Sequence, residues 1–363
     1  MNLHRLQLNT FRNYNTLELF FPEEGAVFEG INGSGKTNIL EAIYILCTGR
    51  SQRGAKRSEM INFGSQNTFI EGEFRYRDTT TLASMGFSRD KKIIMKLDGV
   101  VVKSFTQWFG QRPVISFGVD DLQLISGGPE IRRRFIDILC SQIDSEYLSS
   151  LVMYRHFLSC RNQILNSNFD RLQCEIYEEQ MAEKGAEIIT KRNEILKFLM
   201  PLLRDYYREI SGNREIAGLA YEPSVSCECS SKKEWKNVFY EMLKERRKRD
   251  LETGFSTVGP HRDDIRFFLN QKPSRLYGSQ GQCRSIVLSL KLSSISCIEH
   301  FRQEKMIFLI DDALSELDQD RTSRVLPLIE NKGQVFIATP ILNSPSRKSL
   351  LKCKVSDGMV TTE

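Results

Sequence analysis

Apolar and polar positions alternate from the start of the chain. Leu3, Leu6 and Leu8, then Leu17, Leu19 and Phe21, predict two strands between residues 3 and 21, joined through FRNY (11–14). VFEG (27–30) reads as the end of a buried strand. TNILEAIYILCTG (37–49) then places Ile39, Leu40, Ile43 and Leu46 on one helical face. Residues 68 to 105 break into short β-like runs with turn residues such as Asp98-Gly99, which predicts an antiparallel sheet beside a mainly parallel core sheet. A strand ends near Phe117, and Gly127-Gly128-Pro129 opens a helix, since proline suits a first turn. From Asp144 to Asp250 the spacing is helical. Leu148, Leu151, Val152, Leu158 and Leu165 recur first, then Ile188, Ile195, Leu199, Leu202, Leu203 and Tyr206, with a kink expected at Pro201. No heptad pattern persists, so the expectation is a compact helical arm and not a long coiled coil. TVGPHRDDIRFFLN (257–270) is a turn and an alternating strand, followed by a long amphipathic helix after residue 279. MIFLI (306–310) has the continuous apolar character of a central parallel strand, and QVFIATP (334–340) reads as another ending near the same edge.

The chain of 363 residues has room for a large core and two domains. A hydrophobic share of 40% fits a soluble globule, and without an apolar run of about 18 residues no membrane span is expected. The N-terminus lacks the apolar core of a signal peptide. Nine cysteines are scattered, and only Cys227 and Cys229 are close. They are expected to be reduced packing thiols in a cytoplasmic protein, not a metal site. The net charge of +5 permits nucleic-acid binding without demanding it.

Candidate chemistry centres on GINGSGKT: Gly30, Ile31, Asn32, Gly33, Ser34, Gly35, Lys36 and Thr37. This is a P-loop, with strand before and helix after. The three glycines are expected to turn with positive φ and let the backbone approach a ligand. The freed N–H groups would cradle phosphates at a helix N-terminus, Lys36 would reach the terminal phosphates, and Thr37 would ligate Mg2+. Ser279-Gln280-Gly281-Gln282 is a polar cap before a helix, a second anion site far along the chain. Asp311 and Asp312 end the strand at 306–310. Asp311 is placed to hold Mg2+, directly or through water, and Asp312 to accept a proton from an attacking water.

The remaining charges stay open between two readings. Arg12 could reach a phosphate or be a solvated turn charge. Arg53, Lys56 and Arg57, in a basic loop with Arg50, could meet DNA or the nucleotide, or simply be solvated. Arg132, Arg133 and Arg134 point around their helix, so either they meet an acidic or phosphate partner or one pairs internally. The run KERRKRD (244–250) could be a solvated helix face or a DNA contact.

FRNY, GINGSGKT, PEIRRRFIDIL (129–139), GPHRDD (259–264), SQGQ and IDDALSELD (310–318), in that order, resemble the RecF family of ABC-type ATPases of DNA recombination and gap repair, nearly end to end. The short arm sets the chain apart from most SMC heads. The resemblance implies an α/β fold: an ABC-type P-loop ATPase head, with a mixed sheet and a flanking antiparallel sheet, plus a compact helical arm. The head would comprise residues 1–125 and 253–363, and the arm 126–252. It implies two heads closing on two ATP molecules, with Ser279, Gly281 and Gln282 touching the γ-phosphate held by the partner and SELD (315–318) crossing the interface. It also implies ATP-dependent binding of double-stranded DNA or single-strand/double-strand junctions, slow DNA-stimulated hydrolysis, and RecA loading with RecR and, indirectly, RecO. Val119 stands where the family usually has proline, Pro340 interrupts the usual switch run, and Gln52-Arg53-Gly54 differs from the usual basic segment. A P-loop GTPase is disfavoured because the Asn-Lys at 331–332 lacks the following Asp, and a small-molecule kinase would have no use for SQGQ. A DNA-binding scaffold that holds ATP with negligible turnover is the remaining alternative.

Overall fold

A computed structural model describes the chain apart from residues 91, 168, 214, 226, 228, 230, 315–316, 331, 341–349 and 363, with Glu330 described by its backbone alone. Strands β1 (Asn2–Phe11) and β2 (Tyr14–Phe20) form the expected hairpin. β3 (Gly25–Glu29) leads through the glycine-rich loop into helix α1 (Lys36–Thr48), and a single turn, α2 (Arg57–Met60), follows. β4 (Asn67–Tyr76), β5 (Thr79–Ser88), β6 (Ile93–Leu97) and the short β7 (Val100–Val101) complete an antiparallel sheet in the order β2-β1-β4-β5-β6-β7. The turn α3 (Phe105–Trp108), capped by Ser104, replaces the last strand-like residues of that region. β8 (Val114–Gly118) then enters a second sheet, followed by α4 (Gln123–Ser126), α5 (Pro129–Ile143), α6 (Ser145–Asn166) and α7 (Arg171–Ser211). β9 (Ala217–Glu222), α8 (Lys232–Thr253), β10 (Asp264–Leu269), β11 (Lys272–Pro273) and α9 (Ser274–Tyr277) come next. The chain ends with α10 (Gln280–Arg302), β12 (Ile307–Asp311), α11 (Gln319–Glu330), β13 (Gln334–Thr339), β14 (Leu351–Ser356) and β15 (Met359–Thr362).

The chain packs as two units. The first comprises Met1–Asp121, Glu209–Ser211 and Leu288–Glu363; the second comprises Leu122–Arg208 and Gly212–Val287. In the first, the second sheet runs β15-β14-β3-β13-β12-β8, parallel except for β15. α1 packs against strands of both large sheets, so only Thr37 and Asn38 of its residues escape burial. The one-sided face expected from Ile39, Leu40, Ile43 and Leu46 is therefore a helix buried all round, because it has a sheet on either side. The fold is the ABC-type α/β head with a flanking antiparallel sheet. Gln334 fastens the two sheets: its amide accepts from Leu3 N and donates to the carbonyls of Leu3 and Pro22.

The second unit is largely helical, and α7 runs 41 residues with Pro201 inside it. The helical spacing concealed one strand. β9 lies within the stretch read as helix, and it forms because AGLAYE pairs antiparallel with β10. Residues 253–287 pack as part of this unit, whereas the expected division placed them with the head. The arginine triplet is resolved by its partners. Arg132 grips Asp264 with two hydrogen bonds of 2.7 and 2.9 Å, Arg133 donates to the Asp263 carbonyl at 2.7 Å, and Arg134 is exposed. Burial opposes the charge of Asp264, but Arg132 holds its carboxyl below the usual range. Within KERRKRD, Arg247 bridges Glu175 and Glu178, while the buried Asp250 receives Arg161 at 2.8 Å; neither belongs to a solvated face. Arg192 is buried between Asp137 and Asp263. The sulfurs of Cys227 and Cys229 lie against each other, and the other cysteines are not disulfide-bonded.

His261 lies in this network, with Nδ1 2.7 Å from the Tyr154 hydroxyl and Nε2 3.0 Å from the Ser256 carbonyl. Burial pushes its pKa down to about 4, so the native state keeps it neutral. An unfolded histidine takes up a proton near pH 6.5, so this contribution is complete above that value and is lost as pH falls toward 4. Urea unfolding at a series of pH values should show about 2–3 kcal/mol lost between pH 7 and 4.5 through this group. His261→Asn should flatten the profile; an unchanged slope would show that His261 is not the titrating residue.

Candidate nucleotide-binding site

β3 lies between β14 and β13 in the parallel sheet, and β13 lies beside β12. The loop after β3 and the acids that end β12 therefore meet at the carboxyl edge of the sheet. Thr37 Oγ1 donates to Asp311 Oδ1 at 2.8 Å, joining residues that the sequence separates widely. Lys36 Nζ donates to the carbonyls of Gly30 and Ile31 at 2.8 and 3.0 Å, which lays its ammonium across the loop. Gly35 caps α1 without a side-chain acceptor and no acidic residue occupies the first turn, so the helix N-terminus keeps its preference for an anion. Ser34, Gly35 and Lys36 are buried, whereas Ile31, Asn32 and Gly33 are exposed.

The glycines do not share one role. Gly33 and Gly35 take φ of 84° and 118°, as expected. Gly30 is not among the positive-φ residues; a Cβ there would lie 2.2 Å from the Val355 carbonyl of β14. It is glycine because a neighbouring strand passes too close for a side chain.

FRNY braces this loop. Asn13 donates to the Ser34 carbonyl at 3.0 Å and accepts from Asn38 at 2.8 Å. Tyr14 is buried with its hydroxyl against Gly35, and burial raises its pKa. Arg12 grips Glu41 of α1 at 2.8 and 2.9 Å and donates to the Glu59 carbonyl at 2.7 Å. As placed it is not a solvated turn charge. Glu41 has no exposed surface and also accepts from Ser51 at 2.5 Å. A charged residue in the middle of a core helix was the signal available for it; Asn13 and Asn38 carried no such signal.

A cavity of about 290 Å³ opens beside Thr37, lined by Asp120, Asp311, Asp312, Gln52 and Arg53. Burial raises the pKa of Asp311, with Asp312 adding to the effect, while Thr37, Arg53 and Lys36 oppose it. Asp312 has φ of 53°, a left-handed backbone uncommon outside glycine, and its N–H donates to the Ala338 carbonyl at 3.1 Å. Thr37 and Asp311 are hard oxygen donors in contact on the wall of this cavity. That fits Mg2+, which needs one or two protein oxygens and takes the rest from phosphate and water. Among the described residues no cluster of three or more His, Cys, Asp or Glu suits an all-protein metal site.

Of the basic loop, Arg53 stands on this cavity wall, while Lys56 and Arg57 are exposed at the start of α2. Val119 starts a short 3-10 turn in which Asp121 accepts from Gly118 N and from Lys291 Nζ. In the second unit, Ser279 and Gln282 form a reciprocal cap: Gln282 N donates to Ser279 Oγ at 3.2 Å, and Ser279 N to Gln282 Oε1 at 2.7 Å. The S-x-x-Q spacing already contained that box. Gln282 also donates to Glu215 at 2.5 Å, while Gln280 and Gly281 form the first turn of α10. Of the expected interface segment SELD, residues 315–316 lie outside the described residues, and Asp318 accepts from Arg321 N at the head of α11. The tail directly beyond Pro340, residues 341–349, also lies outside them.

The family model described as the RecF/RecN/SMC N terminal domain matches residues 2–348. A DNA replication and repair protein RecF of Ligilactobacillus salivarius is 37% identical over 100% of this chain and 98% of its own. One from Bacillus cereus is 35% identical over 100% and 99%. The solved structure of the recombination mediator protein RecF with ATP, of the RecFOR pathway, superposes with a TM-score of 0.92 at 32% identity, covering 100% of this chain and 97% of that one. An SMC head bound to the C-terminal winged-helix domain of ScpA shares the fold, at a TM-score of 0.60 and 15% identity over 100% and 98%.

The distinct roles of the glycines can be separated by mutation. Gly30→Ala should push β14 from β3 and lower stability by about 1–3 kcal/mol, seen as an earlier urea midpoint. Gly33→Ala has nothing within 4 Å of the new Cβ and should cost about 1 kcal/mol from its backbone angle, while weakening nucleotide binding. Equal losses of stability would refute the assignment.

Proposed function

The chain belongs to the RecF family of DNA replication and repair proteins, and on that premise we propose that it is an ATP-driven, DNA-binding switch of recombinational gap repair. The observation that carries the proposal is the contact of Thr37 with Asp311, which closes the P-loop onto the acid-bearing strand and leaves Asp312 beside the same cavity. Residues 30–37 bind the triphosphate, with Lys36 leaving the Gly30 and Ile31 carbonyls for the terminal phosphates. Thr37 and Asp311 hold Mg2+, which supplies charge neutralisation for phosphoryl transfer. Asp312 accepts the proton of the attacking water.

Ser279 is the second half of a composite site. Its hydroxyl accepts from Gln282 N, so its own proton remains available to donate to a γ-phosphate presented by a second protomer, with Gly281 leaving room for the approach. Two protomers thus enclose two ATP molecules on double-stranded DNA or a single-strand/double-strand junction. Hydrolysis is slow and DNA-stimulated and releases the dimer, and the clamped state promotes RecA loading with RecR and, indirectly, RecO in the cytoplasm. Arg53, Lys56 and Arg57 are the candidate DNA-linked charges, Arg53 being the one that also reaches the nucleotide cavity.

The deciding experiment is ATP turnover per protomer across protein concentration, with and without duplex DNA. A rate that rises with both is expected; one flat in both would reject the composite site, and a vanishing rate with intact ATP-dependent DNA binding would favour the scaffold. Ser279→Arg should abolish dimerisation and leave monomer ATP binding largely intact. Asp312→Asn should trap the ATP-bound dimer and lower turnover by about 100-fold or more. An unchanged dimer lifetime would remove Asp312 from the role of base.

A further inference from the structure

A second cavity, of about 700 Å³, opens at the start of α1, lined by Arg12, Asn13, Asn38, Glu59, Asn62 and Phe63 among others. Its position relative to the phosphate loop is informative. In a P-loop the lysine and the hydroxyl attend the terminal phosphates and the cation, here the side facing Asp311. The backbone N–H groups of the loop attend the remaining phosphates, and Asn38 is the residue of α1 that directly follows that hydroxyl. Asn38 lines the second cavity and is bonded to Asn13, which in turn holds Ser34 of the loop.

Phe63 is 98% exposed on this wall, although the turn that carries it is tightly fixed. Asn62 N donates to the Thr10 carbonyl and Asn62 Nδ2 to the Arg12 carbonyl, both at 2.8 Å, while Arg89 Nε donates to the Ser65 carbonyl at 2.8 Å. A bare aromatic ring on a rigid turn adds nothing to the core, and it presents a flat apolar face where a nucleoside would emerge. Several polar groups around it are committed to the fold. The Asn62 amide N–H is given to Arg12, the Asn13 amide is engaged with Ser34 and Asn38, and the Glu59 carboxylate accepts from Lys56 N at 3.0 Å.

We propose that Phe63 is the stacking platform for the nucleobase, and that the base is recognised by its ring face and not by the hydrogen-bonding pattern of its edge. This rests on the nucleotide site assigned above. ATP and GTP should therefore bind with similar affinity, because both purines offer the same extended face.

The test is equilibrium binding of ATP, GTP and inorganic tripolyphosphate, with Mg2+, to the full chain and to Phe63→Ala, Phe63→Trp and Lys36→Ala. Phe63→Ala should weaken ATP and GTP by roughly 10- to 100-fold and leave tripolyphosphate unchanged. Phe63→Trp should hold both nucleotides within about threefold of the original protein. Because the side chain is exposed, folding is not at risk, and an unchanged urea midpoint would confirm this. Unchanged ATP binding by Phe63→Ala, an equal loss of tripolyphosphate, or a preference for ATP over GTP above about 100-fold would overturn the proposal. Lys36→Ala separates the two readings. If it abolishes tripolyphosphate binding while Phe63→Ala does nothing, the phosphate site stands and the platform falls. If it leaves ATP binding intact, the phosphate site falls and the platform with it.

Discussion

The carboxylate of Glu41 is the constraint on which the head turns. It sits on α1 with no solvent exposure, so it must be neutralised inside the protein, and Arg12 and Ser51 do this from the FRNY turn and from the loop after the helix. Replacing both charges by apolar groups of similar shape could leave stability little changed, but removing one alone strands the other at a cost of about 3–5 kcal/mol. The pair therefore fixes which part of the antiparallel sheet faces the helix, and with that it fixes the register of α1. Once α1 is held, Lys36 and Thr37 lie at the edge of the parallel sheet, where Asp311 and Asp312 end their strand. The geometry of the site therefore depends on this salt bridge.

The parts of the fold that depend on local pattern were legible in the sequence. The strand–loop–helix of the P-loop, the antiparallel hairpins and the two-acid end of β12 all follow from spacing and turn chemistry. What escaped depends on partners distant in the chain. β9 reads as part of a helical region until β10 is beside it, since its pairing supplies the extended conformation. The function of Gly30 cannot be read without Val355, and although Glu41 within a core helix called for a partner, nothing near FRNY in the sequence named Arg12 as that partner.

Charge was the least legible property. Arg132, Arg161, Arg192 and Arg247 stand in a sequence rich in basic residues, where each could be solvated or face an anionic partner. Their partners are Asp264, Asp250, Asp263 and Glu178, all far along the chain. Such buried pairs are poor evidence of extra stability, because desolvation offsets much of their attraction. They are better understood as fixing one arrangement, since a shifted helix would leave a charge uncompensated. The acids of GPHRDD belong to this group: Asp263 accepts from Arg192, Tyr221 and Ser224 N, and Asp264 from Arg132, so the motif locks the second unit.

The position of β3 in its sheet has a consequence for how the protein is made. Its parallel neighbours are β13 and β14, so Gly25 must wait for Val335 and Ala26 for Leu351. On the ribosome, the helices and the β9–β10–β11 sheet of the second unit are complete well before those strands emerge. The strand that feeds the P-loop is made long before the strands that pair with it. Long-range parallel pairing of this kind is slow, and an apolar strand without neighbours is prone to wrong association. A nascent chain therefore cannot assemble its phosphate loop until β13 and β14 have emerged, which keeps shorter nascent chains from engaging nucleotide.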